Sequence, residues 1–470
     1  MTNFPDTPVG AQAAWVLDVI RTGTITEADV REHFHEHMLT MVSAPALVAL
    51  LSGLRTQLGA VELVAVDADS PEHVLAKFAS PSGPGLVLDC LVAPTPPHLI
   101  VFANLEPSPP TTTATRSWDE IAGVGQSAEP DWIDSKLWDT RAQLRLGGLV
   151  FGVVEDGKLV DVRSGGVRDL ADLSAIDEDT VVRIGSISKT FTATGVMQLV
   201  EAGRIGLDDP VNDHLRAYRL EGSSAPVTVR HLLTHRGGIT PGSAAIGVPE
   251  GQPVPTLAEF IGPTLEVIRE PGTVWEYSNL GFATLGQLIA DVTGVSFEQY
   301  MIDHVFDPLG MANTDFIRSS RVTGALAIGC AAAFGEVGLV PYQDIIVRPA
   351  GSVFSTLTDM TKWVAAVMNG GANDHGRVLD ETTFSSMVAA QFELPSGAGG
   401  MGLGFIALDL DGHRIAFHNG GWPGAASSMW VAPDDKLGVL LFSNTFAARN
   451  AGAIDQAVAA ILGHLLTERA

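Results

Sequence analysis

An α+β fold in two domains is the architecture this sequence predicts, and three observations predict it. The stretch Pro107-Ser-Pro-Pro-Thr-Thr-Thr-Ala-Thr115 has no apolar period and reads as a linker. Helical patterns followed by a meander of strand patterns precede it, which makes a small α+β domain. After it, strand patterns lie at both ends of a long segment with helical patterns between them, as expected of one sheet assembled from its termini. The domains predicted are 1–106 and 141–470, with 107–140 as the linker.

In the first domain, Ala11 to Arg21, Glu27 to Leu39 and Ala44 to Leu58 have helical periodicity. The second of these opens on Thr26-x-x-Asp29, a capping-box start for a stripe of Val30, Phe34 and Met38. Runs at Val61 to Val66, Val74 to Phe78, Gly85 to Val92 and His98 to Asn104 read as strands, separated by Pro, Gly, Ser and Asp. In the second domain Gly148 to Glu155 and Lys158 to Val162 flank Asp156-Gly157, a strong hairpin signal. A helix starting near Ser186 is apolar or small on every side and stops at Gly203, so it belongs in the domain centre. Further helices are expected at Val229 to Thr234, Leu280 to Val292, Phe297 to Val305, Thr358 to Met368 and Thr382 to Val388. Strands at Arg414 to His418, Ser427 to Val431 and Leu437 to Phe442 precede a last helix from Asn450 to Leu466.

Composition narrows the function. The 470 residues are 46% hydrophobic, enough for one large core or two ordinary ones. Asp and Glu number 54 against 28 Lys and Arg, a net charge of -26 that repels nucleic acid and anionic membrane surfaces. Cys90 and Cys330 have neither disulfide-framework nor metal spacing. The start lacks the basic and apolar regions of a signal peptide, and no apolar run approaches the ~20 residues that cross a bilayer, so a cytoplasmic protein is expected. His33-Phe-His35-Glu-His37 sits on a predicted helix whose geometry sends His35 away from the other two, so it reads as solvated flank, not a metal site.

Three short elements can carry chemistry. Ser186 and Lys189 are three residues apart at the start of the buried helix and share one face. An amine whose pKa burial has lowered can take a serine's proton, and the helix N-terminus favours the alkoxide. Trp275-Glu-Tyr277-Ser-Asn279 follows Pro271-Gly272 and can aim a phenol and a carboxamide into a cleft. For that phenol to act as a base it needs a cation beside it, and Lys189 is the expected one. Phe417-His418-Asn419-Gly420-Gly421-Trp422 ends a predicted strand with His418 on the face opposite Ile415 and Phe417. Its glycines allow close approach to backbone N–H groups. Trp275 and Trp422 flank these elements and can line an acyl pocket.

In this order, Ser186-x-x-Lys189, Tyr277-x-Asn279 and His418-x-Gly420 resemble the three motifs of the serine β-lactamase and penicillin-binding-protein superfamily, on its class C and family VIII esterase side. The resemblance extends over about 145–465 and includes Thr228-Val-Arg-His-Leu-Leu-Thr-His235, Asp307-Pro-Leu-Gly-Met311, Pro349-Ala-Gly-Ser-Val-Phe-Ser-Thr356 and Gly438-Val-Leu-Leu-Phe-Ser-Asn444. It implies an antiparallel sheet flanked by helices plus a helical half. It also implies acyl transfer with Ser186 as nucleophile and Lys189 and Tyr277 moving protons, without cofactor or metal. Asn279, His418, Gly420 and Gly421 would then contact a small ester or amide substrate, with the oxyanion between the N–H groups of Ser186 and Gly421. The helices-then-sheet order of the first domain is similar to cone-shaped NTF2 and steroid-isomerase-like domains.

The third motif departs from the Lys-Thr-Gly or Lys-Ser-Gly of many β-lactamases, where a fixed cation meets the antibiotic's carboxylate. A histidine is largely neutral at pH 7, its unperturbed pKa being about 6.5. The expectation is an esterase with at most weak β-lactamase activity. The alternatives are a β-lactamase, a D-amino-acid amidase or a D,D-peptidase, and in another class an acyltransferase or a non-catalytic binding protein. A homo-oligomer is compatible with all of these.

Overall fold

The computed structural model describes residues 2–41, 44–81, 85–107, 115–127, 129–223, 225–240, 246–262, 265–322, 324–334, 336–394, 397, 399–445 and 448–469. Chain contacts divide it into two compact units, one of Met1–Trp118 with Ala332–Leu339, the other of Asp119–Ala331 with Val340–Ala470.

In the first unit, helices Pro8–Thr22, Glu27–His33, Glu36–Met41 and Ala44–Leu58 precede strands Glu62–Ser70, His73–Ala79, Leu86–Val92 and Ile100–Pro107. The strands form an antiparallel meander in sequence order. The Thr26–Asp29 capping box forms in both directions, an arrangement worth about 1 kcal/mol. One expected helix is two. Phe34 leaves helical geometry at φ -105, ψ 139, bridges to Ile100, and buries its ring to 2% exposure. Burying a phenylalanine is worth about 1.5–3 kcal/mol, more than the helical turn given up. His33 is not solvated flank either: its ring stacks on Trp15 at 3.8 Å, and its Nδ1 lies 2.8 Å from Gln12 Oε1.

The reach of the linker also differs. Residues 108–114 of the proline-rich stretch lie outside the described residues, while Arg116–Ser117 is a strand, Trp118–Ile121 a short helix and Trp132–Leu144 a full helix capped by Asp131. That last helix buries Ile133, Leu137 and Trp138, so much of 107–140 is packed structure.

The second unit is built on an eight-stranded antiparallel sheet. The N-terminal hairpin Gly148–Glu155 and Lys158–Gly166 adds to Leu437–Ser443, followed outward by Ala425–Ala432, His413–Trp422, Ile406–Leu410, Gly400–Met401 and Phe392–Glu393. The sheet is thus assembled from both termini. The hairpin turns at Asp156-Gly157, both at positive φ, where glycine and aspartate are tolerated. One face packs on Trp132–Leu144 and the C-terminal helix Ala448–Arg469; the other faces Leu357–Met368 and the helical layer around Ser188–Glu201. The latter helix is buried almost all round, as its composition requires. Among the described residues no single helix is long and apolar enough to cross a membrane.

Candidate active site

The strand Val182–Arg183 runs into a 3-10 turn, Gly185–Ile187, which opens the central helix. Gly185 has φ +52, and a Cβ there would stand 2.6 Å from the Gly421 nitrogen, so both conformation and space demand glycine. Ser188 Oγ pins the turn by donating to the Gly185 carbonyl at 2.6 Å and accepting from Val353 N–H at 3.0 Å. Ser186 is left half-buried at the head of the helix.

Lys189 is fully buried, and its Nζ is 3.0 Å from Ser186 Oγ, 2.8 Å from Asn279 Oδ1 and 2.6 Å from the Ala350 carbonyl. Burial holds its pKa well below the usual lysine value. A neutral amine has two N–H bonds and one lone pair. The amide oxygen and the carbonyl can only accept, so they take the two hydrogens, and the lone pair is left to the Ser186 hydroxyl.

Asn279 begins the helix Asn279–Thr293, whose N-cap Ser278 accepts from Gly281 N–H. Two residues earlier, Tyr277 interacts through its hydroxyl with Ser186, and its ring lies under Lys189 Nζ at 4.7 Å from the centroid. Tyr277 as a residue is 38% exposed, and desolvation around its hydroxyl pushes the phenol's pKa upward. The sequence expected a Lys189 cation to lower the phenol's pKa; instead burial shifts the amine's pKa down and the phenol's up, which disfavours charge on either.

Sequence reasoning singled out no site role for His235. It ends a short helix, Val229–Leu233, at φ +56, and its ring stacks on Tyr277 at 4.4 Å. Its Nδ1 accepts the Ser278 N–H at 3.0 Å, so the proton sits on Nε2, which is buried without a partner. Burial, then the nearby Lys189 and His418, keep the imidazole neutral. Its place in Thr228–His235 was the one available signal, and no spacing rule ties it to Tyr277.

Opposite this helical side stands the strand His413–Trp422. Its pairing with Ile406–Leu410 ends at Phe417, so the edge of residues 418–422 faces the Gly185–Ile187 turn. A Cβ at Gly420 would lie 2.1 Å from the Ile184 oxygen and 2.8 Å from the Ser186 nitrogen. Backbone meets backbone here, bringing the strand at Gly420 and Gly421 against the turn that carries Ser186. Alternation puts Phe417 and Asn419 on the back of the sheet, where Asn419 Nδ2 donates to Asp455 at 2.6 Å, and His418 on the front. His418 is 2% exposed, and burial pushes its pKa down to about 3.

The tryptophans separate. Trp275 stands edge-on to His235 at 6.4 Å with its indole N–H buried and unpaired. Trp422 lies 5.5 Å from the Arg183 guanidinium, which also packs on Tyr342 and Phe354. Tyr342 borders a cavity of about 310 Å³ with Arg318 and Arg348, cations already held by Glu250 and Glu298. Among the described residues no group of three His, Cys, Asp or Glu side chains is placed to hold a metal ion.

Residues 133–462 match the family model described as Beta-lactamase, and 4–93 match one described as ORF 12 gene product N-terminal. The likeness of the first unit to steroid-isomerase domains therefore rests on its order of elements alone. Penicillin-binding protein 4 of Amycolatopsis lactamdurans is 30% identical over 320 residues, 65% of this chain and 82% of that protein. The D-aminopeptidase of Brucella anthropi is 28% identical over 310 residues, 63% of this chain and 56% of that one. Among solved structures, the octameric penicillin-binding protein homologue from Pyrococcus abyssi superposes with a TM-score of 0.62 at 25% identity, over 71% of this chain and 77% of that one.

Proposed function

The chain belongs to the beta-lactamase family, and from that premise we propose that this serine hydrolase cleaves small carboxylic esters through an acyl-Ser186 intermediate. The observation that carries the reading is the buried Lys189 amine, 3.0 Å from Ser186 Oγ with both hydrogens committed elsewhere. Ser186 Oγ attacks the ester carbonyl as its proton moves to Lys189. The carbonyl oxygen becomes an oxyanion between the N–H groups of Ser186 and Gly421; removing one such donor typically costs about 2.7–4 kcal/mol. Collapse breaks the acyl–oxygen bond, and the proton passes from Lys189 through Tyr277 to the departing alcohol. Water repeats the sequence on the acyl-serine, so ester and water become acid and alcohol.

Esters are favoured over β-lactams because the third motif holds a neutral imidazole where a fixed cation would grip a carboxylate. Amide cleavage is the second reading, supported by the D-aminopeptidase among the relatives. Intact-protein mass spectrometry after a fluorophosphonate or a nitrophenyl ester should find one adduct, on Ser186, lost in Ser186→Ala together with turnover. Parallel assays on nitrophenyl esters, nitrocefin and D-alanyl nitroanilide rank the substrate classes. An adduct elsewhere, or ester turnover surviving in Ser186→Ala, overturns the proposal.

A further inference from the structure

His235 grips the chain on both sides of Tyr277. Its carbonyl accepts the Glu276 N–H at 2.8 Å, its Nδ1 accepts the Ser278 N–H at 3.0 Å, and its ring lies 4.4 Å from the Tyr277 ring at 30° to it. The segment so gripped has no ladder of its own, since residues 274–278 belong to neither helix nor strand. Tyr277 keeps 38% of its surface, so enclosure by neighbours does not by itself fix the direction of its hydroxyl. The same grip sets Ser278, the N-cap of the helix that Asn279 opens.

As a core residue, histidine is a costly choice here. It sits at φ +56, a region that residues other than glycine enter uncommonly, and it is 2% exposed with its ring 5.0 Å from that of Phe282. Because Nδ1 accepts, the ring hydrogen is on Nε2, which is buried without a partner, and an unpaired buried donor lowers stability. A phenylalanine would stack on the same rings without that donor. What it lacks is the acceptor for Ser278. We infer that His235 is a positioning residue that holds the Tyr277 phenol at Ser186, in line to hand a proton to the departing alcohol.

This inference rests on the ester-hydrolase reading and deepens it. An alkoxide needs a proton as it departs, whereas a nitrophenolate leaves without one. A misplaced phenol therefore penalises alkyl esters selectively, while a loosened fold penalises both kinds. The test holds the acyl group constant and compares n-butyl butyrate with nitrophenyl butyrate, reading the ratio of their kcat/KM values. His235→Phe keeps the ring and removes the acceptor, and the butyl-to-nitrophenyl ratio should fall by about tenfold. His235→Gln, whose amide stands at the Nε2 end, should lower the ratio as far; His235→Asn, whose amide oxygen stands in for Nδ1, should stay closer to the wild type. Tyr277→Phe should lower it at least as much, and adding His235→Phe to that variant should lower it no further. Fluorophosphonate labelling of Ser186 reports which variants have an assembled nucleophile, and the order among those decides. Equal losses on both esters, a further fall in the double variant, or loss of labelling in all three His235 variants overturns the inference while the ester-hydrolase reading stands. Neither hydrolysis nor a Ser186 adduct in the wild type overturns both.

Discussion

The two sides of Ser186 are made of different material. On the helical side the candidate groups are side chains, the Lys189 amine, the Tyr277 phenol and the Asn279 amide, set at or beside two helix starts, with the amine fully buried and its pKa lowered. On the strand side the groups beside the nucleophile are backbone, exposed by glycines and by a strand edge left without a neighbour. The difference teaches where variation is tolerated. In the proposed mechanism the helical side depends on residue type at each position, the Lys189 amine above all. The contact between strand and turn needs absence of side chains at Gly185 and Gly420.

The sharpest way to break that contrast is at Lys189. Lys189→Met keeps the volume and removes the base, and kcat/KM on a nitrophenyl ester should fall by about 10²–10⁴-fold. Because burial lowers the amine's pKa, the wild-type profile should be flat through neutral and alkaline pH and fall only on the acid side, as the amine gains a proton. A profile that climbs steadily toward the ordinary lysine pKa of about 10.4 would show an exposed amine and a different base. Gly420→Ala comes next and attacks the strand side while leaving the Ser186, Lys189 and Tyr277 side chains unchanged. Its methyl must displace the Ile184 carbonyl and the Ser186 nitrogen, so activity should drop by about 10²-fold. Stability should fall by about 1–3 kcal/mol, read by denaturant unfolding. Full activity in this variant would mean that the strand is not held against the turn.

Legibility followed the range of the forces involved. The Thr26 cap, the Asp156-Gly157 hairpin and the all-round burial of the central helix are set by neighbours in sequence, and all were readable. The three motifs were readable as residue types, and their convergence followed from the fold they resemble. What escaped depends on tertiary position. A stripe of Val30, Phe34 and Met38 is satisfied equally by one helix or by two with Phe34 turned into the core. Trp132–Leu144 carries Asp, Lys and Arg among its apolar residues, and its burial is visible only once the sheet lies beneath it. His235 reaches the site through one left-handed residue that swings its ring onto a tyrosine 42 positions away, and no local pattern announces that. Lys189 was expected as the cation that lowers the Tyr277 pKa, whereas desolvation shifts the amine's pKa down and the phenol's up.

The smallest expected effect lies behind the strand and tests whether its back face matters to the front. Asp455 accepts from Asn419 Nδ2 and Ser428 Oγ, each at 2.6 Å, and burial pushes its carboxyl up to about 6. A carboxyl whose folded pKa is raised keeps a proton that the unfolded chain has already released. Its contribution to stability is therefore most favourable below the unfolded value of about 4 and is lost as pH rises to about 6. Asp455→Asn removes that titration, keeps one oxygen to accept from Asn419 Nδ2, and turns the other position into an N–H donor to which the Ser428 hydroxyl can become acceptor. Urea midpoints measured across pH 4–6 should vary less in the variant than in the wild type, while ester kcat/KM at pH 7 stays within about twofold, a surface-scale effect. A large loss of activity would instead mean that the front of residues 418–421 is tuned from behind, and the division between a chemical side and a scaffold side would have to include the C-terminal helix.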